Sequence, residues 1–448
     1  MRGLIHPPGP RKRFFSNPIR SLRGHPEKFL ASLATEYGDI ARFRLGWQEI
    51  WLLSHPDLIH EALVTQAAKF VKSSAMQRAR IFMGDSLLVS VGEAHRRQRQ
   101  LVLPAFHRSR LAGYADTMMA CAVQTRDRWR AGDEVDIAPE MNQLTLAIAG
   151  RALFSSDVEG DVQKISAAVT VLIENLSRMM MPLASAFLRL PLPANRRLNA
   201  ARTALDEIIY RLIRERRAGG PEASHDLLSM LVFAEDAENP GSHLSDEEVR
   251  DQAMGAFLAG HETTANALAW TWWLLSQNPG AESLLHAELD QVLAGRPPTL
   301  DDLRALSFTE KVVREAMRLF PPVWAMGRRA LEPARIGGYN LPRGALVLAS
   351  PWVVHQDARY FAEPLAFRPE RWTPAMTEAL PLFAYFPFGG GPRRCIGENF
   401  AWMELILVMA TLAQRWRLRA APGAAAFTEP RITLRMQAGL RLKLEPRN

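Results

Sequence analysis

Phe386-Pro387-Phe388-Gly389-Gly390-Gly391-Pro392-Arg393-Arg394-Cys395-Ile396-Gly397 is the stretch that decides how this chain is read. A run so rich in glycine and proline cannot hold a regular element, and it must form a tight loop with unusual backbone angles. The residues directly after it, Glu398 to Leu412, are apolar enough for a buried helix. Cys395 therefore stands where a loop enters a helix N-terminus, and the aligned N–H dipoles there favour a thiolate over a thiol. Two arginines precede it. A phosphate cradle would need a Gly-Lys-Ser/Thr ending that is missing. A zinc site would need more cysteines than the distant Cys121. A nucleophile would want a base, and no histidine lies within twenty residues.

A lone thiolate can instead be the sole protein ligand of a haem iron, with the porphyrin filling the equatorial sites. The pattern Phe388-x-x-Gly391-x-Arg393-x-Cys395-x-Gly397-x-x-x-Ala401 resembles the haem-ligand signature of the cytochrome P-450 superfamily. The resemblance implies Cys395 as metal ligand and Phe388, Arg393, Gly397 and Ala401 as cofactor-binding residues. Small residues let backbone approach the sulfur and donate hydrogen bonds to it. Phe388 is placed to shield the sulfur, and Arg393 to meet a propionate.

Three further stretches extend the resemblance. Ser245-x-x-Glu248 is a capping box, and helical pattern runs from it to Pro279, about 50 Å at 1.5 Å per residue. Inside lies Ala259-Gly260-His261-Glu262-Thr263-Thr264, where a threonine hydroxyl can take a backbone carbonyl and open the helix locally. It is similar to the family's oxygen-activation motif. That implies Glu262 and Thr263 as the catalytic acid and hydroxyl, Gly260 beside the cofactor, and Ala259 on the pocket wall. Glu315 and Arg318 share a helix face, and Phe367-Arg368-Pro369-Glu370-Arg371-Trp372 supplies the family's partner, Arg371, for a buried ion cluster. Such a cluster costs desolvation, so its value is rigidity. His95 and Arg99 share another face. By resemblance they meet one propionate and Arg328 the other.

For the pocket, Ala75 to Ser90 reads as a mobile loop offering Phe82, Leu87 and Leu88. The soft stretch Arg178 to Leu188 reads by family position as a lid, with Met180 and Phe187. Val323, Trp324 and Met326 would pass above the haem plane, and Leu434 comes from a closing hairpin. Core packing is the competing reading for each. A wall so apolar suits a medium-sized lipophilic ligand, a terpenoid or fatty acid, at roughly 25 cal/mol per Å² buried. Arg78 could meet a carboxylate.

The 448 residues carry a net charge of +8, with arginines scattered rather than clustered. No nucleic-acid motif accompanies them, so a basic docking face for an acidic electron-transfer protein is the better reading. Arg394, Arg415 and Arg417 are its candidates. Two cysteines fit a reducing cytoplasm, with Cys121 as a buried structural thiol. The first ten residues hold no apolar run long enough for a signal peptide or membrane span.

The fold implied is one cytochrome P-450 domain over residues 1–448, mainly α with a smaller β-rich lobe from about 36–54 and 323–350. A hairpin turns at Gly46, a helix spans Pro56 to Ala68, and Ile432 to Leu444 forms a closing hairpin. The function implied is a haem-thiolate monooxygenase containing haem b. It would use O2 and two electrons delivered from NAD(P)H through a ferredoxin or flavodoxin. A peroxygenase or hydroperoxide isomerase is the alternative on the same fold, and the acid–alcohol pair counts against it. A non-catalytic haem sensor would want an output domain.

Overall fold

Ser245 and Glu248 cap one another, Ser245 Oγ accepting the Glu248 N–H at 3.1 Å and Glu248 Oε2 the Ser245 N–H at 2.9 Å. From that cap runs the longest helix, Asp246–Gln277, and the other helices pack round it. The computed structural model describes residues 6–10, 24–154, 162–179, 187–188, 190–221, 226–236 and 241–447. Among them, ten helices exceed ten residues: α1 (Pro26–Tyr37), α2 (Gly92–Val102), α3 (Arg108–Arg128), α4 (Ile137–Phe154), α5 (Val162–Met179), α6 (Pro193–Gly219), α7 (Asp246–Gln277), α8 (Pro279–Leu293), α9 (Ser307–Leu319) and α10 (Glu398–Ala413). The chain is mainly helical.

The β-rich lobe is built on β1 (Ile40–Leu45), β2 (Gln48–Leu53), β3 (Phe70–Lys72), β5 (Met326–Ala330) and β8 (Leu346–Ala349), in the order β1-β2-β8-β5-β3. Between them in sequence fall β4 (Glu134–Asp136) and the small hairpin β6 (Ala334–Ile336) and β7 (Tyr339–Leu341). The chain closes with β9 (Trp416–Ala420), β10 (Thr428–Pro430), β11 (Leu434–Met436) and β12 (Arg441–Pro446). Apolar residues divide the same way, into one large cluster among the helices and two smaller ones under the sheet. No helix among the described residues is long and apolar enough to cross a membrane.

Four expectations need correction. Ile432 to Leu444 is not one hairpin: β11 folds back on β10, whereas β12 pairs with β9 and β4. The Leu434 N–H is committed to Pro322 O at 2.8 Å, which ties β11 to the other lobe. The second part of the β-rich lobe begins not at Val323 but with the strand Met326–Ala330. Pro56 to Ala68 begins as a helix, widens into a π turn at Glu61–Thr65 and tightens to 3₁₀ at Ala67–Lys69. Ala75 to Ser90 is not a loose loop. It contains two short helices, Ser74–Arg78 and Arg80–Met83, and α7 holds it with three consecutive side chains. Arg250 Nη1 donates to Phe82 O at 3.2 Å, while Asp251 and Gln252 accept the N–H groups of Asp85 and Leu87 at 2.6 and 2.9 Å. Gly84 permits this approach, since a Cβ there would fall 1.9 Å from the Asp251 carboxylate.

Candidate active site

The glycine-rich loop packs against the π turn. Gly391 has φ +65°, and a Cβ on it would lie 2.0 Å from Leu63 O, so no other residue fits. The Cys395 N–H donates to Phe388 O at 3.0 Å, closing the loop on itself. The Cys395 side chain is accessible, yet burial is the leading cause that raises its thiol pKa. Both hold for a sulfur that faces a space walled by protein. The backbone N–H of Gly397 pulls the other way and does not prevail. Contrary to the sequence expectation, then, the helix N-terminus alone does not make Cys395 a thiolate; coordination to a metal would deprotonate it outright. Phe388 lies 5.7 Å from the ring of Trp402, and Gly397 rests against Phe106. Ala401 is half-buried on the first turns of α10.

Beside the loop, five basic side chains converge. Lys72 on β3 and Arg328 on β5 are direct cross-strand partners, an arrangement that repels unless an anion lies between. Arg393, His95 and Arg99 stand close enough to act on one another electrostatically. None of the five is in an ion pair among the described residues. Their hydrogen bonds go to carbonyls: Lys72 to Leu88, Arg328 Nη1 to Gly327 at 3.1 Å, Arg393 Nη1 to Ser90 at 2.8 Å, and Arg99 Nη1 to Arg394 at 2.9 Å. Burial and the neighbouring cations push Lys72 down to about 7 and His95 to about 3. Burial brings Arg328 to about 10, and burial with the cations beside it does the same for Arg393. Such a nest fits the two carboxylates of a haem. Lys72 was missed by the sequence reading, because Phe70–Lys72 is too short a strand to announce itself.

A second feature is the middle of α7. From Val249 to Trp272 every residue is buried except Ala256, Ala259, Gly260 and Thr263. Their spacing of three, four and seven makes one stripe, and accessibility in mid-helix means that this stripe borders an internal space. Thr263 Oγ1 donates to Ala259 O at 2.9 Å and Thr264 Oγ1 to Gly260 O at 3.0 Å. The helix nonetheless stays α throughout and does not open as expected. Glu262 is buried, with Oε1 accepting from Thr433 Oγ1 at 2.7 Å and Arg435 Nε at 2.5 Å. Beside it His261, stacked on Phe257, is pushed by burial to about 4 and is neutral.

Glu315 and Arg318 are wholly buried. Arg318 Nε and Nη2 bond both carboxylate oxygens at 2.9 and 2.8 Å, and Arg371 Nε adds a third contact at 2.9 Å. The Trp372 indole and the Arg368 N–H supply two more.

The wall residues fare unevenly. Phe82 and Leu434 are packed away and present no surface to a ligand: the Arg250 anchor turns Phe82 into the helical core, and Trp270 and Pro322 fix the Leu434 backbone. Trp324 packs in the sheet cluster with its indole on Arg431 O at 2.9 Å. Met326 lies against the Cys395 loop, its sulfur 3.2 Å from where a Gly389 Cβ would be. Leu87, Leu88 and Val323 are half-buried, Ala259 is exposed along the stripe, and Phe187 is exposed. Met180 lies outside the described residues. Of the surface arginines, Arg394 pairs with Glu398 at 2.6 Å and Arg415 with Asp127 at 3.3 Å, while Arg417 is exposed.

The cytochrome P450 family model matches residues 6–438. The chain is 40% identical to cyclooctatin synthase of Streptomyces melanosporofaciens, covering 94% of this chain and 92% of that protein. It is 37% identical to cyclooctat-9-en-7-ol 5-monooxygenase of the same organism, over 90% and 87%. Against pentalenene oxygenase of Streptomyces avermitilis the identity is 34%, over 94% and 93%. The chain belongs to the cytochrome P450 family and is a P450 monooxygenase.

Proposed function

We propose that Cys395 would ligate the iron of a b-type haem and that Lys72, His95, Arg99, Arg328 and Arg393 would hold its propionates. One observation carries this: five basic side chains gather beside a lone accessible cysteine with no acidic partner among the described residues. When bound, the haem supplies oxygen binding and O–O cleavage, which a thiolate ligand favours. The Gly397 N–H bonds the sulfur and tunes it, and Phe388 backed by Trp402 keeps water from it. Thr263 Oγ1 donates its hydrogen bond to Ala259 O, so its lone pairs are free to accept one in the space beside the stripe. Glu262, one residue away, hands protons toward that space. The Glu315–Arg318–Arg371 cluster holds α9 to the segment before the Cys395 loop, and residues 1–448 act as one domain.

The substrate is a lipophilic small molecule, and a carbocyclic terpenoid fits better than a fatty acid. The stripe on α7 offers three methyl groups, a glycine and a single hydroxyl. Two relatives bear the names of an alkene, pentalenene, and an unsaturated alcohol, cyclooctat-9-en-7-ol. Electrons come from NAD(P)H through a ferredoxin or flavodoxin. Its docking face is less basic than the arginine count suggested, since Arg394 and Arg415 are already paired. Two free cysteines suit a cytoplasmic setting.

The ligand assignment is tested by the reduced carbon-monoxide complex. Cys395→Ser loses the red-shifted Soret band and Cys121→Ser keeps it; an unchanged spectrum in the first variant removes the assignment. The proton-delivery assignment is tested by Thr263→Ala, which still consumes oxygen and reductant but releases hydrogen peroxide, with product per electron down about tenfold or more. Thr264→Ala does so less, because its hydroxyl is buried. For the substrate class, pentalenene shifts the haem spin state and lauric acid does not.

A further inference from the structure

Glu262 is held by one oxygen only. Thr433 Oγ1 and Arg435 Nε both donate to Oε1, and Oε2 takes no hydrogen bond among the described residues. Both donors come from one place. Thr433, directly before β11, and Arg435, within it, both reach Oε1, while Leu434 O between them receives the Trp270 indole of α7 at 3.3 Å. The hairpin thus grips the central helix at two points, Glu262 and Trp270, about two turns apart. It grips the opposite wall as well: the Leu434 N–H donates to Pro322 O at 2.8 Å, and the Trp324 indole donates to Arg431 O at 2.9 Å. Arg431 N–H in turn donates to Thr433 O at 3.0 Å, so the Trp324 anchor and the Glu262 anchor are one hydrogen bond apart.

We propose that Arg435, assisted by Thr433, is a positioning residue for proton delivery: it pins Oε1 of Glu262 so that Oε2 alone remains free to take up and pass on protons. The proposal rests on the reading of Glu262 as the catalytic acid. The arrangement has a chemical logic. A carboxylate free at both oxygens rotates, and a proton path through it has no fixed geometry. One clamped at both, like Glu315, has no lone pair to offer. Clamping one oxygen with a guanidinium supplies the counter-charge a buried carboxylate needs and leaves a single relay atom at a fixed place. Because the clamp sits on the hairpin that also holds Pro322 and Trp324, a ligand that shifts this linker shifts the acid with it.

The test uses haem-loaded protein with a ferredoxin and its reductase as electron source and pentalenene as added ligand. Oxygen consumption per haem is followed in H2O and D2O. Glu262→Gln slows it on the order of 10²-fold and changes the solvent isotope effect. Arg435→Met slows it about ten- to hundredfold with the same change in isotope effect, and Arg435→Lys recovers most of the loss. Thr433→Val, which removes one bond and no charge, gives a smaller loss of the same kind and covers the case in which Arg435→Met fails to load haem. In the double variant Glu262→Gln/Arg435→Met the second change adds nothing. If Arg435→Met and Thr433→Val keep the parental isotope effect, or Arg435→Met slows the Glu262→Gln enzyme further, Arg435 only holds the hairpin and the proposal is overturned. If Glu262→Gln itself turns over like the parent, it is the acid assignment that fails.

Discussion

Glu315 at the end of α9 and Glu262 in the middle of α7 are both buried carboxylates, and they are treated in opposite ways. Glu315 receives five hydrogen bonds, from Arg318, Arg371, Trp372 and the Arg368 backbone, divided between its two oxygens. Arg318 spends its remaining donors on the carbonyls of His355, Pro364 and Ala366. Glu262 receives two, both on one oxygen. A third acid, Glu404 on α10, is wholly buried and has none of good geometry, since the hydroxyl of its neighbour Thr264 is committed to Gly260 O. Burial drives the Glu404 carboxyl well above the usual range. The difference teaches what each place is for. Around Glu315 every valence is closed and nothing is left to react; on α7 one oxygen of Glu262 stays open, as the proposed proton delivery requires.

The largest effect that would break this contrast is expected at the closed end. Arg318→Ala leaves Glu315 buried beside fewer donors, and removing one partner of a buried pair costs about 3–5 kcal/mol. Haem content and melting temperature should both collapse; a variant that still loads haem like the parent would show that the cluster is dispensable. Next comes the cationic nest. In the haem-free protein Lys72 is neutral above about 7 while the unfolded chain holds its proton to about 10.5. The unfolded state therefore binds more protons across that window, and stability rises with pH there. Lys72→Met abolishes that rise. In the loaded enzyme the same variant loosens haem by about 1.5–3 kcal/mol, the worth of a charged hydrogen bond, read by haem transfer to apomyoglobin. The smallest effect belongs to Glu404. Its raised carboxyl contributes stability below the unfolded value near 4.5, and that contribution is lost as pH rises toward the folded value. Glu404→Gln should thus stabilise by about 1 kcal/mol at pH 8 and hardly at all at pH 4, by thermal melts at both. Equal shifts at the two would mean that Glu404 is ionised in the fold.

What the sequence made legible follows the same division. The Cys395 loop, the capped α7 and the Glu315–Arg318 spacing each rest on residues close in the chain, where glycine angles, capping and helix faces decide. Lys72 was not legible, because its meaning lies in facing Arg328 across a strand pair formed by distant segments. Arg435 was hidden for the same reason: it sits in a hairpin whose pairing depended on Pro322. Phe82 and Leu434 looked like pocket walls because apolar residues in a core and in a cavity are alike in sequence. Glu404 did carry a signal, a carboxylate between Met403 and Leu405 in an otherwise apolar helix.

Segments some four hundred residues apart meet. Thr428 Oγ1 donates to Glu27 Oε1 at 2.9 Å, on a glutamate that is wholly buried, and β2 near the start runs parallel to β8 far along. Synthesis proceeds at roughly 5–20 residues per second, N-terminal segments emerging first. Throughout that time α1 and β2 wait without their partners, and the acid on α7 waits for the hairpin that steadies it. Closing such loops is slow because the entropy is spent before the contact rewards it. Folding of the site is thus postponed until the segment that bears Thr433 and Arg435 has left the ribosome, and without that segment the helices would form while Glu262 lacked both of its donors.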